Sequence, residues 1–357
     1  MLESAAGART ASAAGGAAAR LPWVDAARGM AVCGVVLFHV CLWHLAPMAA
    51  TDAASGVVSV WGRLNALIDA LRMPVLLSMS GLLASRRIAA GFRAIGRPVA
   101  ANAWLYAVWL VIYAVVGLVV ADGVPHRVDG PADVLAQLLV PDTPLWYLMG
   151  LVVYTVVLTL LRRMPGWIVL LGFGLVSWTA EVIDVTPEFW TKILALGLYF
   201  AIGARFPQSV RSLASRATVP RALLVAGALA ALIWADRFFP SVELSEAFER
   251  VRGIAVVIGF GCIVAVLVRW APLRWFARVI GRRTLWIYVL HVPVIQLLIT
   301  VLPPDRLAHA LPTPALWLLP VVEAPVVLVV CWAVGRLLSA SPGRVLFSPP
   351  WQNGPIG

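Results

Sequence analysis

Long apolar runs alternate along the chain with short polar segments that carry arginines. Ten such runs stand out, at 22–45, 57–84, 99–121, 144–162, 166–183, 190–206, 219–238, 252–270, 283–302 and 314–338. Each has about the 17–25 residues that a helix needs to cross the hydrocarbon of a bilayer, or more. In hydrocarbon, backbone polar groups must be satisfied inside the segment or within a closed barrel. Barrel strands would alternate apolar and polar residues over about ten positions, and these runs do not. The pattern therefore predicts an all-α, polytopic membrane protein, a single bundle of about ten transmembrane helices. The fifth and sixth runs, short and close together, are the least sharply bounded.

The polar segments set the orientation. Arg9, Arg20, Arg28, then Arg86, Arg87, Arg93 and Arg97, then Arg162 and Arg163 fall on one side. Arg205, Arg211, Arg216, Arg221, the group from Arg269 to Arg283, Arg336 and Arg344 continue it. The opposite loops hold Asp122, Asp129, Asp133, Asp142, Glu181, Asp184, Glu188, Glu243, Glu246 and Glu249. Basic residues concentrate in cytoplasmic loops, so both termini are expected inside. The net charge of +11 is then a topology signal, aided by attraction to anionic lipid, and calls for no nucleic-acid partner.

Composition agrees. Hydrophobic residues make up 61% of the 357 and charged residues 13%, against about 45–50% and 25% in soluble domains. Residues 1–20 are an Ala/Gly/Ser tail without an apolar core, read as a disordered cytoplasmic tail rather than a cleaved signal peptide. Residues 21–338 form the membrane domain and 339–357 a second cytoplasmic tail. The longest stretches between runs, 122–143 and 239–251, are too short for a soluble domain, and no internal repeat is evident. Cys33, Cys41, Cys262 and Cys331 lie inside predicted helices, without the spacing of a disulfide framework or a metal site. The use of arginine over lysine, 27 to 1, with abundant alanine points to a GC-rich bacterium and its plasma membrane.

Ionisable residues at bilayer depth are costly, and each is a functional candidate. They are Asp25, Arg28, His39, Asp69, Arg72, His291 and Glu323. Counted along their helices, His39, His291, Glu323 and the Asp69/Arg72 pair all reach middle depth. A buried polar site has this form, and so has a transporter pathway. Eleven residues separate Arg28 from His39, about 20° more than three turns, so both share one helix face roughly 16 Å apart. A long ligand with phosphates at one end and a reactive group at the other fits that line. Arginine suits phosphate, and a neutral histidine suits proton abstraction from a hydroxyl. The plainer alternative makes Arg28 one more topology residue and His39 a packing residue.

The segment Trp23-Val24-Asp25-Ala26-Ala27-Arg28-Gly29-Met30 running to His39 resembles the opening helix of the acyltransferase 3 membrane family, with its Arg or Lys, ten residues and His. The run from Arg72-Met73-Pro74 to Ser80-Gly81-Leu82-Leu83 is similar to the family's second-helix pattern, with Leu76 and Leu77 where Phe is more usual. Pro144 to Leu148, Tyr199 to Gly203, Gly281 through Tyr288 to His291-Val292-Pro293, and Glu323-Ala324-Pro325 follow in the family's order, Thr284 standing where Ser is commoner. The resemblance covers residues 21–338. It implies transfer of an acyl group, often acetyl, from cytoplasmic acyl-CoA to a hydroxyl of a cell-envelope saccharide, glycolipid or secondary metabolite. It also implies a catalytic His39 and an Arg28 that supports the donor or the active geometry. In that reading the phosphates lie near Arg28 with loop arginines such as Arg86, Arg87, Arg282 and Arg283.

Other candidates carry two readings each. Trp146 and Tyr147 are interface anchors or a sugar platform. Asp25 either pairs with Arg28 or takes part in binding. His291 and Glu323 are a hydrogen-bonded structural pair or have direct catalytic parts. Asp69 and Arg72 read as a buried ion pair shaping the cavity, and Ser80-Gly81 as a close helix contact. The rivals to an enzyme are a transporter or flippase for an envelope lipid or sugar, and a non-catalytic partner of an envelope synthase.

Overall fold

The computed structural model describes residues 21–183, 187–235, 242–340 and 342–352, so the predicted 1–20 tail lies outside the described residues. Among these the chain is helical without strands. Helices α1 (Pro22–Val40), α2 (Asp52–Leu67), α3 (Met73–Ala90), α4 (Phe92–Gly117), α5 (Pro131–Gln137) and α6 (Trp146–Leu160) make the first half. Helices α7 (Gly166–Ile183), α8 (Glu188–Arg205), α9 (Pro207–Ser215), α10 (Val219–Ala235) and α11 (Val242–Leu267) follow. The last are α12 (Ala271–Val279), α13 (Thr284–Val301), α14 (Pro304–Ala310) and α15 (Thr313–Ser339). Proline stands in the first turn of α1, α3, α5, α9, α12, α14 and α15, where its missing N–H costs nothing.

Among the described residues, six stretches are long and apolar enough to cross a membrane: Pro22–Ala50, Phe92–Gly117, Trp146–Arg163, Arg250–Leu267, Ala271–Val301 and Thr313–Ser339. Helices α8 and α9, bent by 74° at their junction, make a seventh if taken together. Gly166–Ala180 and Val219–Leu232 are apolar but shorter. The predicted run 57–84 is corrected: it is two helices, broken where Ile68 (ψ 5°) and Arg72 (ψ −92°) leave helical geometry. Hydropathy averages across this break, whereas Pro74 near the start of α3 and the polar Asp69 and Arg72 mark it.

Helix α1 is the axis of the bundle, packed against α3, α11, α12, α13 and α15. Its Val24, Ala26, Ala27, Val32, Val36 and Val40 are buried, while large apolar side chains such as Leu171, Leu224 and Val329 face outward. An apolar exterior around an equally apolar core belongs in lipid. Beyond Val40 the helix widens into a π-turn, Cys41–Leu45, then a 3-10 turn, Ala46–Ala50. Helices α3 and α8 meet most closely of all. A Cβ on Gly81 would stand 2.1 Å from the Phe200 carbonyl oxygen, and one on Gly203 2.0 Å from that of Ser78. The close-packing reading of Gly81 is thus realised.

Residues beyond α15 do not form a free tail as far as they are described. Pro342–Leu346 and Pro350–Gln352 are short 3-10 turns folded back onto α4.

Candidate active site

Two cavities lie toward opposite ends of α1. The first, about 480 Å³, is lined by His39, Trp43, Arg72, His126, Trp146, Lys192 and Tyr288 among others. His39 stacks on Trp43 at 4.1 Å between centroids, and its Nδ1 lies 3.0 Å from Nε2 of His291 on α13. The protons in this pair can be assigned from their partners. His291 Nδ1 faces the carbonyl oxygens of Tyr288 at 2.6 Å and Ile287 at 3.2 Å, which only accept. Nδ1 of His291 must therefore carry the proton, leaving Nε2 of a neutral ring as acceptor. His39 then donates through Nδ1–H, and its Nε2 keeps a lone pair beside the cavity. That is the tautomer a general base requires. Local sequence supports the arrangement: Pro293 leaves the Val289 carbonyl without its helical donor, and the Tyr113 hydroxyl bonds to it at 3.1 Å.

The second cavity, about 750 Å³, is lined by Arg28, Ser80, Arg87, Arg97, Asn102 and Trp351 among others. Arg28 Nη2 donates to the Thr284 hydroxyl at 3.0 Å, and its buried Nε has no partner among the described residues. Gly281 brings this corner together, since a Cβ there would lie 2.1 Å from the Asp25 carbonyl oxygen. Between the cavities, Ser80 Oγ and Tyr147 Oη are 2.7 Å apart, and the Tyr147 ring meets Tyr288 edge-on at 5.1 Å. Ser80 borders one cavity and Tyr288 the other, so these three side chains join them.

A family model described as an acyltransferase domain matches residues 21–336. The chain belongs to the acyltransferase 3 family. No curated protein and no solved structure matches it. Family and apolar helices together make it a multi-pass membrane acyltransferase.

Several residues of this acyltransferase sit differently from the sequence reading. Glu323 does not pair with His291: its Oε1 is 2.8 Å from Nδ1 of His44, whose Nε2 is 2.8 Å from the Leu302 carbonyl. The π-turn after Val40 rotates His44 toward α15, and neither Glu323 nor His44 borders the two cavities. Asp25 meets Arg282, Nε to Oδ2 at 3.7 Å, while Arg28 turns to Thr284. Arg72 is buried, spread over Phe38 at 4.0 Å and bonded to Asp69, but the Asp69 side chain is 62% exposed, so the pair is half open rather than buried. Trp146 and Tyr147 are both 6% exposed, which removes the interface-anchor reading and puts Trp146 in the His39 cavity. Of the loop arginines, Arg87 borders the Arg28 cavity, whereas Arg86, Arg282 and Arg283 do not.

Sequence reasoning missed Trp43, His44, His126, Lys192 and the role of Thr284. Trp43 was findable, one helical turn past His39. Lys192, the lone lysine, and His126, in a loop, carried no local signal. His126 takes a left-handed backbone, φ 54°, with Nδ1 2.8 Å from the Asp142 carbonyl and its ring 5.3 Å from Trp43. Such a conformation in a non-glycine residue beside a cavity is typical of functional loops.

Proposed function

We propose that this acyltransferase moves an acyl group, acetyl in the simplest case, from cytoplasmic acyl-CoA to a hydroxyl of a cell-envelope saccharide or glycolipid. Its place would be the bacterial plasma membrane, with the N-terminus inside. The observation that carries this reading is the division of α1, which presents Arg28 to one cavity and a base-ready His39 to the other.

The donor's phosphates would sit with Arg28, held by Thr284 so that its free Nε points at no competing carboxylate. The pantetheine arm would run along α1 past Ser80, Tyr147 and Tyr288, delivering the thioester toward His39. The acceptor would enter the other cavity, where Trp146 offers a flat apolar face for a sugar ring. Nε2 of His39 takes the hydroxyl proton as the oxygen attacks the thioester carbon. The resulting imidazolium is steadied by the Nδ1–H bond to His291. Collapse of the tetrahedral intermediate breaks the carbon–sulfur bond, and the departing thiolate recovers the proton from His39. Arg72 and Lys192, ion-paired with Asp69 and Glu188 of the same cavity, would offer N–H donors where the oxyanion develops.

The test is His39→Gln in purified, lipid-reconstituted protein with labelled acetyl-CoA. Glutamine keeps hydrogen-bonding capacity but cannot act as a base, so transfer should drop by about 10²–10⁴-fold with donor binding intact. Full activity in His39→Gln would remove this mechanism.

A further inference from the structure

Residues 342–352 form a strap across the middle of α4. Trp104 Nε1 donates to the Val345 carbonyl at 3.3 Å, and Trp109 Nε1 to the Leu346 carbonyl at 2.6 Å. Phe347 is wedged between Trp109 and Trp286, at 5.8 and 5.9 Å between ring centroids. Trp351 meets Trp104 edge-on at 5.6 Å. Two indole N–H bonds to backbone and three aromatic contacts hold this segment in one place, and it lies past residue 336, where the family match ends.

The strap does more than cover α4. Phe347, Pro349, Trp351 and Gln352 make one wall of the cavity that holds Arg28. Arg87, Arg97 and Asn102, from α3 and α4, belong to the same cavity. Neither Arg87 nor Arg97 has a carboxylate partner among the described residues. The Trp351 side chain is half open, 50% exposed, although it is pinned at its edge by Trp104. An exposed indole held at one edge, beside two unpaired guanidinium groups, has the chemistry that binds a purine nucleotide: a π-face for the base and cations for its phosphates.

We propose that the strap is the outer end of the donor site, where Trp351 stacks on the adenine of the coenzyme while Arg87 and Arg97 bind its phosphates. Arg28, deeper in the same cavity, is left for the end of the nucleotide that joins the pantetheine arm. This rests on acyl-CoA being the donor, and it goes further by assigning a base-binding residue outside the family's shared region. The remaining explanation of the strap is purely mechanical, with its aromatic side chains only securing the chain end to α4.

Donor truncation separates these. S-acetylpantetheine carries the same thioester but lacks the whole nucleotide. The wild-type protein in lipid nanodiscs should show a lower KM for acetyl-CoA than for S-acetylpantetheine. Trp351→Ala should raise KM for acetyl-CoA about tenfold relative to its effect on S-acetylpantetheine, with Trp351→Phe recovering most of the loss. Removing residues 349–357 while keeping Val345, Leu346 and Phe347 should act as Trp351→Ala does. Equal effects of Trp351→Ala on the two donors, or none on either, would overturn the subsite and leave the acyl-CoA reading standing. A wild-type protein that uses neither donor would overturn both.

Discussion

The contact between His39 and His291 can be tested by replacing the partner rather than the base. His291 is fully buried, its Nδ1 held by the Tyr288 and Ile287 carbonyls and its Nε2 receiving Nδ1–H of His39 at 3.0 Å. His291→Phe keeps the ring's bulk and removes the acceptor. The buried N–H of His39 is then unsatisfied, or the ring shifts its proton to Nε2 and ceases to be a base. A hydrogen bond to a charged group, as this becomes when His39 is protonated in the reaction, contributes about 1.5–3 kcal/mol. At 1.36 kcal/mol per decade, kcat should fall about 10- to 150-fold, less than in His39→Gln. His291→Gln offers an amide oxygen in place of Nε2 and should regain part of the loss. Transfer of label from saturating acetyl-CoA would be followed in nanodiscs, with thermal unfolding and donor binding measured on the same preparations. The acceptor role of His291 is refuted if folded His291→Phe keeps kcat within about twofold of wild type. It fails equally if the Phe and Gln variants are equally impaired.

Gly203→Ala should force α3 and α8 apart, because the added methyl would lie 2.0 Å from the Ser78 oxygen; overpacking of this kind costs about 1–3 kcal/mol. Thermal unfolding in detergent should show a lower Tm, whereas Gly56→Ala, with open space around it, should not lower Tm, and equal midpoints would count against the packing argument. Burial holds the His126 imidazole below its ordinary 6.5 despite the Asp142 carbonyl beside it. The unfolded chain therefore binds that proton first, and stability present above pH 6.5 should decline as pH drops below it. His126→Asn, which tolerates the left-handed backbone, should flatten this decline, and an unchanged pH profile would exclude His126 as its source. Reporter fusions after Gly91 and Ser212 should score cytoplasmic and one after Gly130 external, and the reverse would invert the proposed orientation.

The sequence by itself settled the helical class, the membrane and the Arg28–His39 line, because each depends on local periodicity. Apolar runs of bilayer length have few other solutions, and an 11-residue spacing returns to the same face of any α-helix. The family followed from short motifs whose order survives without knowledge of their contacts. Pairings were another matter. His39 meets His291 across 252 positions, Arg28 meets Thr284 across 256, and Glu323 takes His44 rather than His291. Nothing within one helix specifies which face of another will oppose it, and the π-turn at Cys41–Leu45 redirects His44 in a way that regular geometry does not foresee. The break at residues 68–72 was hidden because hydropathy sums side chains and is blind to backbone angles. The tautomer of His39 depends on two carbonyls of α13, so it was decided only when the helices came together. The strap reads as a tail in the sequence for the same reason: its Phe347 and Trp351 are placed only by Trp104, Trp109 and Trp286, all distant in sequence.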